Sequence, residues 1–398
     1  MSDLRYAKIG FKDAIAGTLS EAPAGGTVFE YSSEFKETIA CALPRSKSTH
    51  AWPEGLHPFF QHLAPEGWLR SRQARAAEVD VEDDFGLLLK YGADCIGAVS
   101  VLDSEAYGTD FEGIELDALT RAAVEPKRTV SGIQPKLLVT KEKDEFIPAQ
   151  ETGKAEYIAK FPTDDLPDIV LNEDLSLEAA RVLLGKAQVT IAKRSIVKGI
   201  DRPALLVERF DRTDDNRKLR LEDFAQVLSR PRRRDFSGKY DASFEEGAKI
   251  VKRYSVRSEI DLLRYFSRIV AFALIGNCDS HLKNFSLLET GEGLRLSPAY
   301  DVVNTYIYGA QGYSTRFGLL LGGERRQFEE INHNILTQFG EEIGLNKHVI
   351  ERTFSDFKEK RGSLLGLYES GDHQDPEGLQ VRCSDVIRGS YLRIFGHG

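Results

Sequence analysis

Cys278-Asp279-Ser280-His281-Leu282-Lys283-Asn284, followed by Ala299-Tyr300-Asp301, sets out an Asp, an Asn five positions on and a second Asp soon after. That spacing suits phosphoryl transfer. One carboxylate aligns an attacking hydroxyl, and two further oxygens hold a magnesium ion whose other ligands are phosphate and water. Upstream, Leu262, Phe266, Ile269, Val270, Ala273 and Leu274 recur at three- and four-residue steps, which predicts a helix with one buried face, ended by Gly276. The acidic loop would then spring from a rigid core element that fixes its side chains. Downstream, 285–288 and 294–296 flank Glu289-Thr290-Gly291-Glu292-Gly293 as in a hairpin, after which Asp301 could fold back toward Asn284. An acidic pair alone more often caps a helix or faces solvent. By the same plain reading His281 is a structural hydrogen-bonder, while Lys283 would suit a transferring phosphoryl group.

The nucleotide side is read with less contrast. Thr129-Val130-Ser131-Gly132-Ile133-Gln134-Pro135-Lys136 precedes the apolar run Leu137-Leu138-Val139, and a small residue at such a place lets backbone N–H groups approach phosphate. Neither common phosphate-loop pattern is present, so a simple turn is the competing interpretation. Tyr157 to Pro162 alternates as a strand and carries Lys160, suited to an α/β-phosphate contact. Glu178 opens the helical run Ala179 to Leu184 and would pair with that lysine, with Glu173 as the rival. Ala204 to Arg212 reads as a buried strand whose edge could hydrogen-bond an adenine, with Phe210 against the ring or in the core.

In this order the segments resemble the HipA-type serine/threonine kinases, the toxins of HipBA toxin–antitoxin pairs. The motifs are Ser131 to Lys136, Lys160, Val207 to Arg212, Ile275 to Ser286 and Pro298 to Asp301. Pro58 to Gly67 and Cys95 to Val99 are similar to N-terminal segments of the same family. The resemblance implies an α+β, protein-kinase-like two-lobed fold: a mixed or antiparallel N-lobe sheet, a mainly helical C-lobe and an additional N-terminal subdomain. It implies Asp279 as catalytic aspartate, beside which Lys283 keeps the phosphoryl role read above, with Asn284 and Asp301 as Mg²⁺ ligands. Lys160 would contact the phosphates of ATP, Glu208 and Phe210 the adenine, and His281 and Tyr300 would line the site. Gly132, Gln134, Lys136 and Glu178 complete the expected ATP site, and Ser131 or Thr129 is the expected autophosphorylation site. A phosphate there adds roughly −1.5 to −2 charge, which cannot stay where ATP phosphates sit. Ser280 stands where Gly is commoner in the family. The implied partners are a HipB-like helix-turn-helix antitoxin, which would bring the chain to DNA, and a protein substrate such as an aminoacyl-tRNA synthetase. Two other functions stay open: a non-catalytic corepressor of such an antitoxin, and a small-molecule phosphotransferase.

Composition is that of a soluble globular protein, with 398 residues and a net charge of −9 that disfavours binding nucleic acid unaided. Four scattered cysteines without a C-x-x-C suggest neither a zinc site nor a disulfide framework, and no signal-peptide or membrane-spanning pattern appears, so a cytoplasmic protein is expected. Arg230-Pro231-Arg232-Arg233-Arg234 is either a solvated loop or a docking patch for an acidic target. Three segments are expected: 1–125, 126–211 and 212–398. Within them we expect a hairpin around Gly10, a helix from His57 to Ala76 and a linker from Asp103 to Glu125. Later helices are expected from Glu245 to Arg257, Phe328 to Phe339, Lys347 to Leu367 and Leu379 to Phe395.

Overall fold

The computed structural model describes residues 4–103, 117–126, 128–130, 134–151, 153–369 and 378–396. The chain divides into two compact units, 1–163 with 194–238, and 164–193 with 239–398.

In the first unit β1 (Tyr6–Phe11), β2 (Ala14–Glu21), β3 (Thr27–Tyr31), β4 (Thr49–Trp52) and β5 (Val99–Asp103) form an antiparallel sheet ordered β4-β3-β2-β1-β5. Lys12, at φ 53°, makes the β1–β2 turn, two residues later than expected; Gly10 lies instead where the register shifts within β1. Against this sheet pack Phe59 and Phe60 of α1 (Pro58–Gln61) and Phe85 and Leu88 of α3 (Asp84–Tyr91). The single helix expected over 57–76 is two, because α2 (Gly67–Ala76) starts afresh beyond Pro65. Proline lacks the N–H that the helix needs and drives the residue before it out of the α region. Of the expected linker, 104–116 lie outside the described residues, and α4 (Ala118–Val124) is helical, capped by Asp117.

A second sheet is built from β6 (Lys136–Glu142), β7 (Glu145–Pro148), β8 (Tyr157–Lys160) and, after α5 (Ile169–Leu184), β9 (Ala192–Ile196) and β10 (Pro203–Glu208). Its order is β7-β6-β8-β10-β9, so β10 is an interior strand and offers no free edge. The chain leaving β10 is held by buried charges. Asp211 accepts from Arg209 Nη2 at 2.8 Å, Arg212 Nη1 at 2.6 Å and the Gly97 amide at 2.7 Å, and Asp94 pairs with Arg212 Nη2 at 2.7 Å. These bonds join the 94–97 segment before β5 to the exit of β10. After β11 (Leu221–Asp223) and α6 (Phe224–Val227) the arginine run divides. Arg232 is buried against Glu82 and Asp84, and only Arg233 and Arg234 remain exposed arginines, which reduces the expected docking patch.

In the second unit α7 (Phe244–Tyr254) starts at a Ser243–Glu246 capping box. The core helix α8 (Ser258–Ile275) follows, with 262, 266, 269, 270, 273 and 274 all buried, and it ends at Gly276 in the left-handed region, φ 94°. The β12 (Ser286–Thr290) and β13 (Gly293–Leu296) hairpin forms in the expected place. The helix expected from 328 begins only at α9 (His333–Glu342), capped by Asn332. The 347–367 segment is α10 (Lys347–Glu359) and α11 (Arg361–Glu369), while α12 (Leu379–Phe395) matches its expected span. No helix among the described residues is long and apolar enough to cross a membrane.

Candidate active site

The second unit brings Asp279, His281, Lys283, Asn284, Tyr300 and Asp301 together. Gly276 must be glycine on two counts: its φ is positive, and a Cβ would lie 2.4 Å from Asn304 Oδ1. The turn it starts is held by the segment after Asp301. Cys278 N donates to Thr305 Oγ1 at 2.9 Å and Tyr306 N to Gly276 O at 3.1 Å. Asp279 emerges with its side chain 48% exposed, its amide bonded to Asn277 Oδ1 at 3.2 Å. The Tyr240 hydroxyl donates to Asp279 Oδ1, and His281 Nε2 stands 4.0 Å from Oδ2. His281 is itself buried and meets the Tyr240 ring edge-on.

Asn284, 1% exposed, donates through Nδ2 to the Asp301 carbonyl at 3.2 Å, so the expected fold-back occurs. Its buried Oδ1 has no hydrogen-bond partner. Asp301 has φ 55°, a left-handed conformation that costs a non-glycine residue energy and recurs at functional sites. Tyr300 donates to the Lys283 carbonyl at 2.7 Å, which leaves Ser286 Oγ to donate to Tyr300. A carboxylate and an amide oxygen are the donor set that magnesium takes when phosphates supply the rest. The orphaned Asn284 oxygen therefore fits a hard cation.

Behind this loop lies a buried polar chain absent from the sequence reading. Asn172 on α5 donates to Asn304 O and to Tyr308 Oη, each at 3.0 Å, and accepts from Asn304 N at 3.0 Å. Tyr308 donates to Asp168 at 2.8 Å, and Arg382 on α12 reaches the other Asp168 oxygen at 2.7 Å. Gly318 likewise carries no motif signal in the sequence. A Cβ there would sit 2.2 Å from Ser280 O and 2.5 Å from its carbonyl carbon. Gly318→Ala is expected to displace the loop that carries Asp279 and slow any chemistry there about 10²-fold. A steady-state rate beside a thermal midpoint tests this.

The remaining expected residues are in the first unit, except Glu178. Lys136 and Lys160 are cross-strand partners in β6 and β8, so both buried side chains share one sheet face. Two lysines so placed gather positive charge on one face of the sheet. Gln134 Nε2 donates to Phe161 O at 2.8 Å. Glu208 is exposed at the end of β10 and Phe210 half-buried. The strand edge expected to meet adenine is not free, because β10 lies between β8 and β9, with 205–208 paired to β8 and Arg209 N donating to Glu156 O at 2.8 Å; Glu208 and Phe210 stand where that strand ends. Glu178 does not open a helix. It lies within α5, exposed and ion-paired with Arg181, whereas Glu173 is the fully buried acid of that helix. Thr129 is 1% exposed, and Ser131 and Gly132 lie outside the described residues.

The family model for the HipA-like C-terminal domain matches residues 128–362, more than half of the chain, and that for the HipA N-terminal domain matches 7–102. The protein Y4mE of Sinorhizobium fredii is 27% identical over 384 residues, covering 89% of each chain. The serine/threonine-protein kinase toxin HipA of Shewanella oneidensis is 27% identical over 282 residues, 63% of each. In a solved complex of a Shewanella oneidensis HipA with HipB and operator DNA, one chain matches with TM-score 0.74 and 20% identity, over 98% of this chain and 97% of that one. The shared fold is the expected α+β, kinase-like one. The motifs, the loop they build and both family models agree: this chain belongs to the HipA family.

Proposed function

We propose that the chain is an ATP- and Mg²⁺-dependent serine/threonine protein kinase, acting as the toxin of a HipBA-type module. The observation that carries this is the loop in which Asp279 stays half exposed while Asn284 keeps a buried oxygen without a donor. Asp279 takes the proton of an acceptor hydroxyl as the acceptor oxygen bonds to the γ-phosphorus and the bond to ADP breaks. Asn284 and Asp301 would hold magnesium, which when bound offsets charge on the β- and γ-phosphates. Lys136 and Lys160 concentrate positive charge suited to phosphate, with Gln134, Glu208, Phe210, His281, Lys283 and Tyr300 in the roles the resemblance implies. Glu173 takes the place given to Glu178, because an exposed glutamate bound to its own helix is a poor lysine partner. Autophosphorylation belongs to Ser131, since Thr129 is shielded. A HipB-like antitoxin, a synthetase substrate and a cytoplasmic location complete the proposal.

Incubation of the purified chain with γ-labelled ATP and magnesium tests it: protein-bound label is expected, and a folded chain that takes up none in any metal overturns the reading. Asn284→Ala is expected to raise the magnesium concentration for half-maximal labelling by at least the roughly ten-fold that outer-shell losses cost. A metal titration of the initial rate measures it.

A further inference from the structure

We infer that Tyr240 is a positioning residue for Asp279, an assignment that rests on the phosphotransfer reading above. The phenol donates to Asp279 Oδ1, and the ring is fixed by several contacts. His281 meets it edge-on at 5.1 Å between centroids. The Arg325 guanidinium and the Lys239 ammonium stand 5.9 and 5.3 Å from its centroid. Arg325 also holds the backbone: Nη2 donates to Tyr240 O at 2.8 Å and Nη1 to Gly318 O at 3.1 Å. Gly318 in turn lies against the Ser280 backbone. One guanidinium therefore ties the tyrosine to the segment that packs on the residue next to Asp279.

The physical need is specific. The terminal torsion of an aspartate is broad, so a half-exposed carboxylate samples many orientations. Proton transfer requires one oxygen within hydrogen-bond reach of the acceptor hydroxyl. With Oδ1 taken by the phenol, Oδ2 is the oxygen presented to the acceptor. Tyr240 acts through Asp279 alone and has no assigned contact with either substrate. It lies thirty-nine positions before Asp279 in the chain. No motif spacing marks it.

Tyr240→Phe keeps the ring and its contact with His281 but removes the donor. The initial rate of self-labelling by γ-labelled ATP and magnesium is expected to fall about ten- to a hundred-fold, in line with losing a hydrogen bond to a charged group. The ATP concentration for half-maximal rate and the thermal midpoint should not change. Arg325→Ala, which leaves the phenol but frees its backbone, should give a smaller fall in the same direction. An unchanged or faster rate in Tyr240→Phe overturns the assignment, as does a loss that tracks a lowered midpoint or a raised ATP requirement. Should the parent chain label and Tyr240→Phe label equally well, this assignment alone fails. Should the parent fail to label, the kinase reading fails and carries this one with it.

Discussion

Asp279→Asn is expected to lower transfer of label from ATP by about 10²–10⁴-fold, the range general-base catalysis contributes. The substitution preserves shape, and the Asn oxygen can still accept from Tyr240, so the loop keeps its geometry. What disappears is the ability to take a proton from the acceptor hydroxyl as its oxygen bonds to phosphorus. The side chain is 48% exposed and contributes no buried ion pair, so the thermal midpoint should stay close to that of the parent. Single-turnover labelling beside a melting curve separates the two effects. Labelling of Asp279→Asn at the parental rate would remove this residue from the chemistry.

Asp211→Asn should act on stability instead, costing about 3–5 kcal/mol, the penalty for breaking a buried ion pair from one side. The Arg209 and Arg212 side chains are 0% and 5% exposed, and Asp211 binds each of them as well as the Gly97 amide. Removing its charge leaves two guanidinia with Asp94 as their shared counter-charge. Urea unfolding followed by fluorescence measures the loss, and a change below 1 kcal/mol would contradict it. The pH dependence has a defined sign. Burial alone would raise the Asp211 carboxyl, but Arg209 and Arg212 outweigh it and hold the group at about 2, against an ordinary 3.8. Its stabilising contribution is complete above about pH 4 and disappears as the pH falls through about 2. The acid limb of the parent's stability curve should therefore flatten between those values in Asp211→Asn.

The Asp279 loop is legible because two strong local signals meet there. Apolar residues at helical spacing fix α8, and Gly276 stops it where only a glycine accepts the backbone angle. Spacing then carries Asp279, Asn284 and Asp301 into one turn and its fold-back. The break at Pro65 was equally legible by rule, yet the apolar run on either side concealed it. The burial of Arg232 was not, since whether an arginine in a basic run faces water depends on acids elsewhere, here Glu82 and Asp84. Glu178 reads as a helix start because it stands before Ala179 and Ala180, whereas the helix begins at Ile169 and turns Glu178 outward. Tyr240, Arg325 and Gly318 reach the loop through tertiary contact, which leaves no period in the sequence.

The polar chain from Arg382 through Asp168, Tyr308 and Asn172 to Asn304 ties α12 to the segment that holds the Asp279 turn. A genetic selection for inactive alleles should therefore return substitutions at Arg382, over a hundred residues from Asp279. On the kinase reading proposed above, such an isolate would fold normally while taking label from ATP slowly, and would be misread as an allele of a docking surface.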